Sequence, residues 1–204
     1  MSHLSNISLS QAMEERRSIY ALSPKSNIPD DRILALIEHA VKYVPSAFHN
    51  QGQRVAVLFG DQHSKLWREV TMNALKQVVP PDQFAPTQQK IEGFANAYGT
   101  VMFFNHTPTT EELMRSYPLY KDNFPIWAQH ANGMLQYAVW MLLEGEGLGA
   151  SLQHYNPLID EGVYETFGID RSWQLIAQMP FGLPTAKPEP KEFMPLADRI
   201  RVIK

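Results

Sequence analysis

Phe124-Pro-Ile-Trp-Ala-Gln-His-Ala-Asn-Gly-Met-Leu-Gln-Tyr-Ala-Val-Trp-Met-Leu-Leu-Glu-Gly145 runs into Glu146-Gly-Leu-Gly-Ala-Ser-Leu-Gln-His-Tyr-Asn156. A proline just inside a start and glycines at the far end, Gly145 and Gly147, punctuate a helix. Between them Trp127, Ala131, Leu135, Ala138, Leu142 and Leu143 recur at helical spacing. Met134, Tyr137, Val139, Trp140 and Met141 fill the faces that a surface helix would charge. Gln129, His130, Asn132 and Gln136 make the segment too polar to cross a bilayer, so it reads as a helix buried in a large core or a subunit interface. Gly147–Asn156 reads as a short strand ending in Gln153, His154, Tyr155 and Asn156, a good place to hold a ligand.

Working outward, Arg54–Gly60, Thr100–Phe104 and Trp173–Pro180 are expected core strands, the first apolar enough to be buried on both faces. Helices are expected at Ser8–Arg17, with Ser8 or Ser10 as N-cap and Glu14 and Glu15 placed for capping. Further helices are expected from Asp30 or Asp31 to Val44, over Asp61–Val79, Gln83–Tyr98 and Asp160–Phe167, and within Thr107–Tyr117. Phe181–Pro195 holds four prolines and reads as extended. Arg199–Ile203 alternates charged and apolar residues, a weak last strand. Strands interleaved with helices make an α+β or α/β fold, a sheet covered by helices. The proline-rich tail has no hydrophobic reason to fold back, which fits an arm reaching across another protomer.

The 204 residues fit a single domain, and the formal charge of −3 provides no basic field for nucleic acid or an anionic membrane. The absence of cysteine excludes disulfides and thiolate chemistry. Residues 1–7 lack a charged segment followed by an apolar run, and a cytoplasmic protein is the simplest reading. There is no dinucleotide glycine fingerprint, phosphate loop or nucleophile elbow. The histidines are scattered and the carboxylates unclustered, which argues against a metal centre or a two-carboxylate hydrolase.

Four polar clusters remain. Arg16-Arg17-Ser18 suits a phosphate monoester, or is simply a solvated helix end where arginines favour the dipole. Ser46, His49, Asn50 and Gln51 could read a heteroaromatic edge, or only terminate a helix. Gln153-His154-Tyr155-Asn156 offers backbone and amide groups, or is a strand-to-helix turn. Lys191 could add a second positive charge to an anion site, or be merely exposed.

Together these segments resemble the FMN-dependent nitroreductase family, specifically its subgroup of small Frm2-like and copper-induced nitroreductases. The resemblance is carried by Glu15-Arg-Arg-Ser-Ile-Tyr20, Pro45-Ser-Ala-Phe-His-Asn-Gln51, Gly147–Ile159, and Gln178-Met-Pro-Phe-Gly182 with Lys191 and Pro195. It implies a three-layer sandwich, a mixed central sheet flanked by helices, in an intertwined homodimer with residues 183–204 as an arm around the partner protomer. It also implies FMN held by Arg16, Arg17, Ser18, Tyr20 and Lys191, with Ser46, Phe48, His49 and Gln51 approaching from the other protomer. Gln153 and His154 would lie along the isoalloxazine, and Tyr117, Tyr120 and Phe124 would wall a substrate channel, with Trp127 a further candidate there. Two departures stand out: His49 replaces the usual Asn, and Phe193 replaces a second basic residue seen in distant relatives.

In that reading no side chain is the catalyst, because chemistry takes place on FMN N5. NADH or NADPH would reduce it, and a small flat aromatic acceptor, nitroaromatic or quinone-like, would reoxidise it in a ping-pong cycle. A flavin-binding regulatory or sensing protein with little turnover is the alternative, and a cofactor-free interaction module the third reading.

Overall fold

The computed structural model describes residues 7–204; residues 1–6, read above as part of a leaderless start, lie outside the described residues. In chain order the elements are α1 (Leu9–Glu15), β1 (Leu22–Ser23), α2 (Asp30–Tyr43), β2 (Gln53–Phe59), α3 (Gly60–Lys65) and α4 (Met72–Lys76). Then follow α5 (Phe84–Ala95), β3 (Gly99–His106), α6 (Thr107–Ser116), α7 (Phe124–Gly145), β4 (Gly149–Ala150), α8 (Asp160–Phe167) and β5 (Trp173–Pro184). The strands form one sheet in the order β1-β5-β3-β2, with β4 paired beside β5. All strand pairs are antiparallel, and an isolated parallel bridge, outside those pairs, joins Ser18 to Ala150.

Both faces of the sheet are covered, so the α+β three-layer architecture holds. On one face Val101, Phe103, Ala177, Met179 and Phe181 pack against Ile33 and Ile37 of α2 and Leu135, Val139 and Leu143 of α7. On the other, Met102, Phe104 and Leu175 meet Leu66, Trp67, Ile91, Phe94 and Val163. Leu175 and Ala177 are two apart yet face opposite layers. The register shifts between Phe103 and Phe104, which pair with Ala177 and Leu175, so Ile176 is the extra residue of a bulge that reverses the alternation. Burying each large apolar side chain stabilises the fold by roughly 1.5–3 kcal/mol.

α7 is the expected central helix. Pro125 sits in its first turn, and Gly147, at φ +78°, turns the chain out after its end. Several other expectations are corrected. The strand behind α7 is only Gly149–Ala150, followed by an isolated Gln153–Gln178 bridge, because Leu152 and His154 turn away from β5. α1 is capped by Ser8 with Gln11, not by Glu14 or Glu15, since only Gln11 lies three residues past the cap. Asp61–Val79 is broken: a π-helical segment, Leu66–Thr71, separates α3 from α4. β2 is not buried on both faces but is a half-buried edge strand. β5 runs four residues past Pro180 to Pro184, where β1 and β4 pair with it. A Cβ at Gly182 would lie 2.5 Å from Ser23 O, so glycine permits that crossing. Arg199–Ile203 forms no strand, having no partner strand among the described residues.

Candidate functional site

α1 ends at Glu15, so Arg16 and Arg17 leave the helix directly beside the last turns of α7. Both are half-buried, and among the described residues neither forms an ion pair. The Arg16 guanidinium stacks over Trp140, 4.5 Å from the ring centroid. Arg17 Nη2 donates to Glu189 O at 2.6 Å, which draws the start of the arm against it. Arg16 Nε, Arg17 Nε and the indole Nε1 of Trp140 are buried without a hydrogen-bond partner. The ammonium of Lys191 is held below its usual value by lost hydration and by the charges of Arg16 and Arg17, so the third cation belongs to the same cluster. Glu144, one turn beyond Trp140, has its carboxyl raised by burial and by the charge of Glu15, against an opposing pull from Arg16.

Half-buried guanidinium groups with unpaired donors are costly unless an anion completes them. A cavity of about 390 Å³ adjoins them, lined by Arg17, Ser18, Tyr20, Lys187 and Glu189 among others. Ile19 N donates to Ala150 O at 2.9 Å, which ties Ser18 to the segment leading to Gln153 and His154. In that segment the backbone N–H groups of Ser151, Gln153 and Tyr155 are spent on β5, at Pro180 O, Gln178 O and Gln178 Oε1. The N–H groups of Leu152 and His154 alternate with them and face away, with no partner among the described residues. Gln153 is buried, its amide donating to Ser151 Oγ, whereas His154 is exposed. Arg17, Ser18 and Tyr20 thus line one cavity, the charges of Arg16 and Lys191 act on the same cluster, and Gln153 and His154 follow a few residues along the segment bonded to Ile19.

Ser46, Phe48, His49 and Gln51 are not among them. They occupy the loop after α2, where Phe48, His49 and Gln51 all have φ near +50°. Three residues other than glycine in left-handed backbone store strain of the kind kept at functional sites. Short bonds hold the loop: Gln51 N donates to Ser46 Oγ, Gly52 N to Asn50 Oδ1, and Arg54 Nη1 to Gln51 O. The Phe48 ring, itself exposed, packs on Tyr117, Phe124 and Trp127 at centroid distances of 4.8, 5.5 and 6.4 Å. Tyr120 adjoins Trp127, and Phe124 is buried beneath the group. These aromatics gather at the start of α7, whereas Trp140 and Arg16 lie near its end. The thirteen residues from Trp127 to Trp140 span roughly 20 Å at the rise of an α-helix.

Trp140 was legible only as a core residue; no spacing in the sequence links it to Arg16. Among the described residues no helix is long and apolar enough to cross a membrane.

The chain resembles known proteins along most of its length. The nitroreductase family profile matches residues 13–183. The nitroreductase FRM2 of Saccharomyces cerevisiae is 34% identical over 186 residues, 90% of this chain and 91% of the yeast protein. The nitroreductase CinD from Lactococcus lactis, solved in complex with nicotinic acid, chloramphenicol and 4-nitrophenol, is 39% identical. Its nicotinic acid complex superposes with a TM-score of 0.89 over 97% of this chain and 100% of that chain. A structure from Desulfovibrio desulfuricans in complex with FMN shares the fold, at 17% identity and a TM-score of 0.68 over 98% and 99% of the two chains.

Proposed function

The chain belongs to the nitroreductase family, and we propose that this oxidoreductase is an FMN flavoenzyme whose flavin site is shared between two copies of the chain. The observation that carries the reading is the pair Arg16 and Arg17, ion-paired to no carboxylate among the described residues and with orphaned buried donors, beside Ser18 and the outward N–H groups of Leu152 and His154.

The donor set fits a flavin mononucleotide. Arg16, Arg17 and Lys191 would neutralise its phosphate dianion, and the Ser18 hydroxyl would reach the ribityl chain. The outward N–H groups at Leu152 and His154 would donate along the ring edge and stabilise negative charge there. Bound FMN would supply hydride transfer through N5, taken from NADH or NADPH and passed to a nitroaromatic or quinone-like acceptor in a ping-pong cycle. The ligands of CinD, nicotinic acid and 4-nitrophenol, are flat aromatics, and the second is a nitroaromatic of the acceptor kind that this cycle needs.

The second copy supplies Ser46, Phe48, His49 and Gln51. Three features support a homodimer. The outward stripe of α7, Ile126, Gln129, His130, Gly133, Met134 and Tyr137, is exposed and carries no Lys, Arg, Asp or Glu. Phe193, Met194, Leu196, Ile200, Val202 and Ile203 are all exposed along the arm. The outer edge of β2 has no strand beside it among the described residues, and a cavity of about 420 Å³ lies between β2 and α2, lined by Leu34, Val41, Val55 and Val57 among others. Exposed apolar surface on this scale needs a partner, and the alternating Arg199–Ile203 segment of another copy would suit the open edge.

The test is an absorption spectrum of purified protein before and after anaerobic NADH or NADPH. A bound oxidised-flavin spectrum bleached by either donor is the expected result. Bound flavin that neither donor bleaches would favour a sensing role, and protein that stays colourless after incubation with FMN would overturn the reading.

A further inference from the structure

Arg16 and Arg17 are neighbours in sequence but are held by different devices. Arg17 is pinned by the Glu189 carbonyl of the arm. Arg16 has no such bond: its guanidinium lies over the Trp140 indole, its Nε is buried and unpartnered, and no carboxylate pairs with it among the described residues. Trp140 is almost wholly buried among the residues of α7, α2 and the sheet, so the surface on which Arg16 rests is fixed by the core.

We infer that Trp140 is a positioning residue for the anion site, an indole platform that sets the Arg16 guanidinium in place before the ligand's phosphate arrives. This inference rests on the proposed assignment of Arg16 to the FMN phosphate. Stacking suits that task because a guanidinium carries its N–H donors in its own plane, so a ring against its face consumes none of them. A free arginine would lose side-chain freedom when it closed on the phosphate. One already lying on a rigid indole has less to lose, and that difference appears as affinity. A leucine or methionine in place of Trp140 would fill much of the space but present no π face.

The experiment measures dissociation constants of FMN, and of riboflavin, which lacks the phosphate. The proteins are wild type, Trp140→Phe, Trp140→Leu, Arg16→Ala and the double variant Trp140→Leu/Arg16→Ala, with thermal midpoints taken alongside. Trp140→Leu is expected to weaken FMN about 5- to 10-fold while riboflavin changes less than about 2-fold, and Trp140→Phe to recover most of the loss. In the Arg16→Ala background the Trp140→Leu loss should largely vanish, because the two residues act through one contact. If Trp140→Leu fails to fold, Trp140→Met carries the same comparison. Equal losses for FMN and riboflavin, or the same loss with and without Arg16, would reduce Trp140 to core packing. Wild type that binds no FMN would instead overturn the assignment of the site itself.

Discussion

The two ends of α7 differ in kind. At its C-terminal end lie Arg16 and Arg17, whose buried Nε donors have no partners, and Lys191, whose ammonium feels their charge. At its N-terminal end lie Phe48, Tyr117, Phe124 and Trp127, rings packed on one another beneath a loop whose bonds are made within itself. The first region requires a charged ligand, whereas the second offers a flat apolar surface. A flavin mononucleotide carries both a phosphate and an aromatic ring, yet the two regions stand roughly 20 Å apart along the helix axis. In the proposed reading neither end is a whole site. The difference makes sense if the cationic end of one copy meets the aromatic end of another.

The sharpest break comes from separating the copies. Met134→Asp places a charge on the uncharged outward stripe of α7, and an unpaired charge in an interface costs about 3–5 kcal/mol, incurred on both sides of a two-fold axis. Analytical ultracentrifugation should show a monomer, and FMN should be lost although the cations remain. A monomer that still binds FMN tightly would show that the cationic end suffices.

A smaller effect defines the pH range in which the ends can be compared. His63 lies in the layer opposite α7; its Nδ1 is 2.9 Å from Thr100 Oγ1 and its Nε2 is 3.2 Å from Ala95 O. Because Ala95 O can only accept, Nε2 carries the proton. Trp67 Nε1 donates to Thr100 Oγ1, whose own proton is left for Nδ1. Burial lowers the His63 pKa from 6.5 to about 4. An unfolded chain therefore takes up the proton first, so stability is full above pH 6.5, falls between 6.5 and about 4, and is level below in this respect. The loss across that window is about 3 kcal/mol. Urea melts of wild type and His63→Gln at pH 7 and pH 4.5 test this; equal pH dependence in both would remove His63 as the cause.

At the cationic end, Arg17→Ala should weaken FMN by about 1.5–3 kcal/mol, the range for a hydrogen bond to a charged group. An unchanged dissociation constant would make Arg17 only a helix-end charge. The least effect is expected at the loop. His49→Asn should leave FMN binding at neutral pH nearly unchanged, since asparagine keeps a hydrogen-bonding side chain at that position. A tenfold loss would show that the imidazole itself holds the ligand.

The sequence reveals these regions unequally. α7 was legible because proline and glycine mark its ends and charge is almost absent between them. β3 was legible from Val101-Met-Phe-Phe104, apolar on both faces. β1 and β4 are two residues each, too short for an alternating pattern, and exist because β5 offers backbone partners across Leu183 and Gly182. The extension of β5 through Pro180 and Pro184 was hidden because prolines usually end strands. The π-helical segment shifts the burial stripe by a fraction of a turn, which a helical reading of Asp61–Val79 does not register. In the site, Arg16, Arg17, Ser18 and Lys191 stood out by chemistry and resemblance. The stacking of Arg16 on Trp140 is a contact between distant segments that leaves no mark in either.

The most direct test of a site shared between copies is complementation. Arg17→Ala and Phe48→Ala proteins are mixed, allowed to exchange subunits, and titrated with FMN. If each site takes Arg17 from one copy and Phe48 from the other, a mixed dimer carries both defects in one site and leaves the second intact. One site of wild-type affinity should then appear per mixed dimer. If the mixture shows only the two weakened affinities of its components, both residues serve the same copy's flavin and the shared site is contradicted.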